Sequence, residues 1–453
     1  MRAMKSFVIL VILMFALSAD EAFSADKLVV GYYPSWTKST LPYTAMKFEN
    51  LTHIAYAFLI PAADGSVSIP AGFLYPEMVQ AAHQKGVKVV ISLGGWGQSD
   101  GFSPMVADTA ARHKFVKNMT NFCTTYSFDG VDLDWEYPKT AADRANLTAL
   151  VHELRQSFDN VNPAYSISLA VPASGYSGQW YDVTTMKSDF NWIGIMTYDY
   201  YGTWTATSGP NAPIYGNLAT NPDGWIDYAV GYYTNTRTVP AAKVLIGTPF
   251  YGWMYTAATM YGKHTGASQL AYSSVAPKLT QGWTRTWDSQ GQVPYMINGA
   301  QTQVISYDDT QSVAAKCTYI QSKGIGGTII WAIGQDYIGG AQPLLDVIGA
   351  ALRTPTAVRT QSARMPATLE LSQNYPNPFN GGTIIRYSVA EAGRVTMKLF
   401  DILGREVATL VDTQQSPGAY EVPVSSSALT SGMYFYRVQN QNTILTRSMI
   451  VLR

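Results

Sequence analysis

Over the first 335 or so residues, short β-branched or aromatic runs alternate with stretches of helical period. The runs are LVVGYY (28–33), HIAYAFLI (53–60), VKVVISLGG (87–95), FDGVDLDWE (128–136), YSISLAV (165–171), WIGIMTYD (192–199), KVLIGTPF (243–250) and GTIIWAIG (327–334). Between most of them apolar residues recur at helical spacing, as in LYPEMVQAAHQKG before the third run and TAARHKFVKNMTNFCTTY before the fourth. Eight strands alternating with helices predict parallel pairing and a closed (β/α)8 TIM barrel over residues 26–353. An open doubly wound sheet would carry a Gly-rich phosphate turn after its first strand, and GYYPSW is no such turn.

The interval between the seventh and eighth runs is too long for one helix. Residues 251–305, rich in aromatics and turn residues, predict a small inserted subdomain able to form one wall of a cleft. After residue 353 the chain turns polar and proline-punctuated, which reads as a linker over 354–366. From residue 367 to 453 short alternating runs such as RVTMKLFDILG and SGMYFYRV predict a C-terminal all-β sandwich.

A chain of 453 residues exceeds what one core usually supports, in line with two units. Its charge is balanced, 31 Lys plus Arg against 31 Asp plus Glu, so no field draws it to nucleic acid or anionic membranes and a neutral partner is expected. Thirty Tyr and 11 Trp supply flat amphipathic rings suited to stacking on partly polar ligands. Residues 1–25 combine Arg2 and Lys5, an apolar stretch from Phe7 to Ala19 and small residues up to Ala25, the pattern of a secretory signal peptide. The two cysteines, Cys123 and Cys317, lie in separate helical patterns and are expected as free thiols. Five histidines without paired ligand spacing give a metal site little support, and no cofactor is expected.

The fourth run carries the chemistry. In DGVDLDWEYP an acid falls at every second position, Asp132, Asp134 and Glu136, with Val131, Leu133 and Trp135 between. Alternation puts the acids on one face of the strand and the apolar set on the other. With the apolar set under the helices, the carboxylates point into the barrel near its C-terminal mouth. Neighbouring buried carboxylates cannot all ionise, so protons are shared and at least one pKa rises. Glu136, last in the series, is the candidate general acid. A purely structural network, or a Ca or Mg site completed by oxygens from other strands, are the other readings of three acids.

A proton donor among stacking aromatics suggests glycosidic cleavage. The usual retaining arrangement sets a second carboxylate about 5 Å from the acid, but the seventh run ends GTPFYG without one. The nucleophile can then belong to the substrate, as in 2-acetamido sugars.

DGVDLDWEYP resembles the active-site strand of family 18 glycoside hydrolases, the chitinases. SLGG (92–95), MTYD (196–199), PFYG (249–252), ISYDD (305–309) and IIW ending at Trp331 match in order, over roughly residues 27–350. With the signal peptide the chain reads as a secreted protein, expected as a monomer, and the resemblance implies hydrolysis of chitin or chitin oligosaccharides. It implies that Glu136 protonates the leaving oxygen and then activates water, and that Asp134 orients the acetamide. Asp132 would share a proton with Asp134, steadied by Ser92 and Tyr32, and Tyr198 would donate to the acetamide oxygen. Met196 and Asp199 would line the same sugar subsite, Trp331 would be its floor, and Trp96 and Tyr137 rim contacts. Phe58, Gly94, Gly95 and Tyr251 complete the implied substrate-binding set. The insertion resembles the α+β subdomain that deepens the cleft in many chitinases. An endo-N-acetylglucosaminidase on glycans and a chitin-binding lectin, in which the acid is usually replaced, are the alternatives. The family often has Arg after PFYG; Trp253 stands there instead, which puts one polar substrate contact in doubt and admits a stacking contact.

The C-terminal segment resembles the sorting domain of type IX secretion cargo, through NYPNPFN (374–380), VTMKLFDILGREVATLV and SGMYFYRV. That implies passage through the periplasm, engagement of the type IX machinery and an extracellular or cell-surface destination. A carbohydrate-binding module is the alternative, but residues 367–453 contain no Trp to build a stacking face.

Overall fold

The computed structural model describes residues 27–216, 224–353, 369–374, 377–380, 382–425 and 429–452; the expected signal peptide and linker lie outside them. The chain divides after Arg353 into two compact units.

In the first unit the eight expected runs form eight strands: Leu28–Pro34, His53–Pro61, Lys88–Gly94, Gly130–Asp134, Ser166–Pro172, Trp192–Met196, Val244–Pro249 and Gly327–Trp331. Each pairs in parallel with the next, and the first also pairs with the eighth. The sheet therefore closes as a (β/α)8 TIM barrel. Side-chain alternation sorts its residues. Val131, Leu133 and Trp135 join Ile54, Val89, Ile167, Ile193 and Ile246 in the main core outside the barrel. Val30, Tyr32, Ala55, Val90, Trp192, Leu245 and Ile329 form a separate apolar plug inside it. Above that plug the interior turns polar, and the site begins there.

The helices follow their patterns. Pro76–Gln84 buries Met78, Val79 and Ala82, and Thr109–Tyr126 buries Phe115, Met119 and Phe122 after an N-cap in which Asp108 accepts from the Ala111 amide. Cys123 and Cys317 are buried free thiols in Thr109–Tyr126 and Thr310–Ser322, and burial pushes both up to about 12, so they stay protonated.

Three strands stop two or more residues short of expectation. The fourth ends at Asp134, which leaves Glu136 in the segment beyond it, the eighth ends at Trp331, and the sixth ends at Met196, after which the chain turns through Asp199 at φ 59°.

Residues 251–306 form the insertion, a five-stranded antiparallel sheet ordered Ala267–Ala271, Tyr251–Tyr255, Val304–Ser306, Val293–Asn298 and Trp283–Asp288. Two helical turns, Tyr272–Val275 and Ala276–Thr280, separate its second and third strands in chain order. The ISYDD motif ties this sheet to the barrel. Ser306 pairs with Trp253, while Asp309 caps Thr310–Ser322 in a capping box and accepts from Arg285 at 2.8 Å. Asp308 forms an ion pair with Lys316 in which both side chains are fully buried, and Ser312 donates to the same oxygen at 2.6 Å. Removing one partner of such a pair leaves an uncompensated buried charge. Lys316→Met is therefore expected to destabilise the barrel by about 3–5 kcal/mol. Urea unfolding followed by Trp fluorescence reads this unit alone, because residues 367–453 lack Trp. A midpoint unchanged from wild type would show that the pair contributes nothing.

The second unit is two antiparallel sheets. One has three strands, Glu370–Leu371, Gly382–Val389 and Gly418–Ser425; the other has four, ordered Glu406–Gln415, Gly393–Phe400, Gly432–Asn440 and Thr443–Val451. Val389, Met397, Leu399, Tyr436, Val438 and Met449 from both sheets share one core, as in a sandwich.

Candidate active site

At the mouth of the barrel the fourth strand presents its acids in graded environments. Asp132 lies deepest. Its Oδ2 accepts from the Tyr32 hydroxyl at 2.8 Å and Ser92 Oγ at 2.7 Å, and its Oδ1 from Ser168 Oγ at 2.7 Å. Burial raises its pKa against these three donors. Asp134 is also buried, but its Oδ1 has no hydrogen-bond partner. Burial first, then the charges of Glu136 and Asp132, hold its pKa well above the usual carboxylate range. Buried carboxyl oxygens are ordinarily satisfied by a donor, and the N–H of a ligand is one such donor.

Glu136 stands just beyond the strand, where its backbone N–H donates to Ser99 Oγ at 3.0 Å. Burial pushes its carboxyl up to about 7; a hydrogen bond to Tyr137 opposes the rise and the charge of Asp199 adds to it. A carboxyl at that value is half protonated at neutrality, as a general acid requires.

The glycines of SLGG are needed for this strand to sit where it does. Gly94 has φ 98°, and a Cβ there would lie 2.4 Å from the Asp134 carbonyl oxygen, while the Gly95 amide donates to that oxygen at 2.7 Å. Gly95 also lies against the Phe58 ring. On the seventh strand Gly247 leaves room for Tyr198, whose Cε1 is 2.6 Å from where a Cβ would stand. Burial and the charges of Asp134, Glu136 and Asp199 raise the Tyr198 pKa, so its hydroxyl remains a donor.

Aromatic rings line the opening. Phe58 stacks on Trp331 with centroids 5.7 Å apart, and Tyr32 tilts against Trp331 at 5.7 Å. Tyr251 meets Tyr198 edge-on at 6.0 Å. Met196 packs on the apolar plug with Trp331. Trp96 is 77% exposed, so its ring faces are open, and none of the ring contacts among the described residues ties it to the acids.

The structure thus gathers Asp132, Asp134, Glu136, Tyr198 and Asp199 around one opening, with Tyr32 and Ser92 beneath and Phe58, Trp331 and Tyr251 beside them. Several members were not singled out from the sequence. Ser168 is the third donor to Asp132, and only the strand register reveals it. Ser99 braces Glu136 from a loop. Trp36, 61% exposed and 6.3 Å from Phe58, extends the aromatic row outward; its place directly after the first strand, in GYYPSW, was an available signal. Trp253 does not lie open for stacking on a ligand. It is buried, and its indole N–H donates to Asp199 Oδ1 at 2.7 Å.

A closed parallel barrel with carboxyl groups and stacked rings at the C-terminal end of its strands is an α/β-barrel protein built for chemistry at its mouth. Residues 28–336 match the model of the glycosyl hydrolases family 18, and the chain belongs to that family. Residues 373–452 match the secretion system C-terminal sorting domain. A probable endochitinase of Caenorhabditis elegans is 32% identical over 343 residues, 66% of this chain and 55% of that protein. Chitinase A1 of Niallia circulans is 30% identical over 408 residues, 71% of this chain and 58% of that protein. The chain thus spans little more than half the length of these relatives. The solved catalytic domain 2 of the group II chitinase of Ostrinia furnacalis is similar with a TM-score of 0.67 and 28% identity, covering 72% of this chain and 96% of that one.

Proposed function

We propose that this chain is a secreted chitinase that hydrolyses β-1,4 N-acetylglucosamine linkages by substrate-assisted, retaining catalysis. The observation that carries the reading is the pairing of one carboxyl pushed up to about 7, Glu136, with the unpartnered buried oxygen of Asp134 two residues before it. The seventh strand, Val244–Pro249, carries no carboxylate that could act as nucleophile.

In the first step the proton of Glu136 passes to the glycosidic oxygen as its bond to the anomeric carbon breaks. The acetamide oxygen of the same sugar bonds to that carbon and forms a cyclic oxazolinium. With the proton shared by Asp132 and Asp134 resting on Asp132, Asp134 accepts the acetamide N–H, which turns the oxygen towards the anomeric carbon and balances the positive charge that develops. Tyr198 donates to the acetamide oxygen and orients it. In the second step water attacks the anomeric carbon, gives its proton to Glu136 and releases the acetamide. Trp331, stacked on Phe58, supplies the floor for the reacting sugar, and Trp36 and Trp96 offer open faces to further sugars. The sorting domain supports export through the type IX machinery to the cell surface or medium.

The stereochemistry of the first product tests the mechanism. Two displacements at one carbon return the β-anomer, which proton NMR resolves before mutarotation. An α-anomer would rule out the acetamide route, and binding of chitin oligosaccharides without cleavage would favour the lectin reading instead.

A further inference from the structure

The strand Tyr251–Tyr255 leaves the seventh barrel strand and runs into the insertion, paired with Ala267–Ala271 on one side and Val304–Ser306 on the other. Alternation puts Tyr251 and Trp253 on one face. Both donate to the same atom, Asp199 Oδ1, the tyrosine hydroxyl at 2.8 Å and the indole N–H at 2.7 Å. Trp253 is itself held fast. It lies opposite Gln269 and Ser306 in the sheet and meets Trp204 edge-on, with centroids 5.6 Å apart and planes at 90°. Asn211 locks the other side of Asp199: its Oδ1 accepts the Asp199 amide at 3.0 Å and its Nδ2 donates to the Tyr251 carbonyl at 3.1 Å.

The groups facing Asp199 come from every wall of the opening. They are Glu136 and Tyr137 after the fourth strand, Tyr198 on its own segment, Tyr251 and Tyr255 from the insertion's first strand, and Gln269 from the next. None of these is a cation. The donors to Asp199 are neutral hydroxyl, indole and amide groups.

We propose that Trp253 is a positioning residue whose neutral indole donor fixes Asp199 beside Glu136 without itself bringing a positive charge to Asp199. The inference deepens the reading of Glu136 as the general acid and takes its functional meaning from it. Burial raises the pKa of Asp199 itself against its three donors Trp253, Tyr251 and Gln269. Once ionised, Asp199 disfavours a second negative charge nearby, so Glu136 keeps its proton to higher pH than burial alone would give. A cation at position 253 would hold Asp199 equally well but cancel that effect. The choice of donor, not only its position, then sets the upper pH limit of the acid.

Carboxyl carbon-13 NMR of the full chain tests this without relying on turnover. The Glu136 signal is identified by its loss in Glu136→Gln, and its titration is followed in wild type, Trp253→Arg, Trp253→Phe and Asp199→Asn. The Glu136 midpoint is expected to fall by about one pH unit in Trp253→Arg and in Asp199→Asn. In Trp253→Phe the Asp199 midpoint is expected to rise, because its carboxylate loses a donor while the ring remains. A Glu136 midpoint that stays at its wild-type value in the Arg and Asn variants overturns the proposal. If Trp253→Arg does not fold, Asp199→Asn and Trp253→Phe carry the same test. Hydrolysis measured alongside keeps the two readings apart. Unmoved midpoints in an enzyme that cleaves chitin oligosaccharides sink this inference alone; shifted midpoints in a protein that cleaves nothing uphold it and sink the assigned activity.

Discussion

Glu136→Gln is expected to lower kcat for chitin oligosaccharides about 10²–10⁴-fold at the wild-type optimum while leaving their binding nearly intact. The replacement keeps the shape of the side chain and removes the one proton the first step needs. Binding is spared because the stacking surfaces of Trp331 and Phe58 and the acceptor on Asp134 do not depend on it. The pH dependence has a definite sign. Glu136 acts in its protonated form and its carboxyl lies up at about 7, so wild-type kcat should fall as pH rises through that value. In the variant this limb should vanish from whatever rate remains. Initial rates on a soluble oligosaccharide from pH 4 to 9, with calorimetric binding of the same sugar, decide the point. Full activity in Glu136→Gln would mean that the wrong carboxyl has been assigned.

Much of this arrangement was legible before any coordinates. The period-two acids of DGVDLDWEYP were enough to place the carboxylates inside and Val131, Leu133 and Trp135 under the helices, because only one of those sets can tolerate the apolar shell. The eight runs became eight strands for the same reason, each being apolar on a face that must be covered. What escaped depends on distant neighbours. Nothing in YSISLAV marks Ser168 as a donor to Asp132 until the fourth and fifth strands are in register, Asp132 opposite Ser168. Asp199 looked like the end of a strand, yet its φ of 59° turns it aside to meet Tyr251 and Trp253. Trp253 departs from the family's usual Arg, and the sequence leaves open whether a polar contact is lost or a stacking contact replaces it. Its indole N–H matters more than its ring face, since a buried Trp must place that proton somewhere. The glycine of PFYG at position 252 likewise says little alone; a Cβ there would lie 2.3 Å from the Ser306 carbonyl oxygen, which ties two motifs 54 residues apart in the chain into one contact.

Asp134→Asn should cost about 10²–10³ in kcat, or about 3–4 kcal/mol of transition-state stabilisation, by a route distinct from that of Glu136→Gln. The amide can still accept a hydrogen bond, but it carries no charge to balance an oxazolinium, and its NH₂ competes for the place where the acetamide N–H must point. The two losses separate on a substrate with an acidic phenol as leaving group. Such a phenol departs without a proton, so bond cleavage no longer needs Glu136, and the release of phenol by Glu136→Gln should recover much of its lost rate. It still needs the acetamide to attack, so Asp134→Asn should stay slow on the same substrate. Were both variants rescued alike, Asp134 would be acting only through the protonation of Glu136, and the nucleophile would have to be sought elsewhere. If neither recovered, the loss would lie in binding or folding, which the calorimetric affinity and the thermal midpoint of each variant would register directly. A rescue confined to Glu136→Gln is the pattern that three acids with distinct tasks require: one to hold the strand's charge in place, one to steer the sugar's own nucleophile, and one to move the proton.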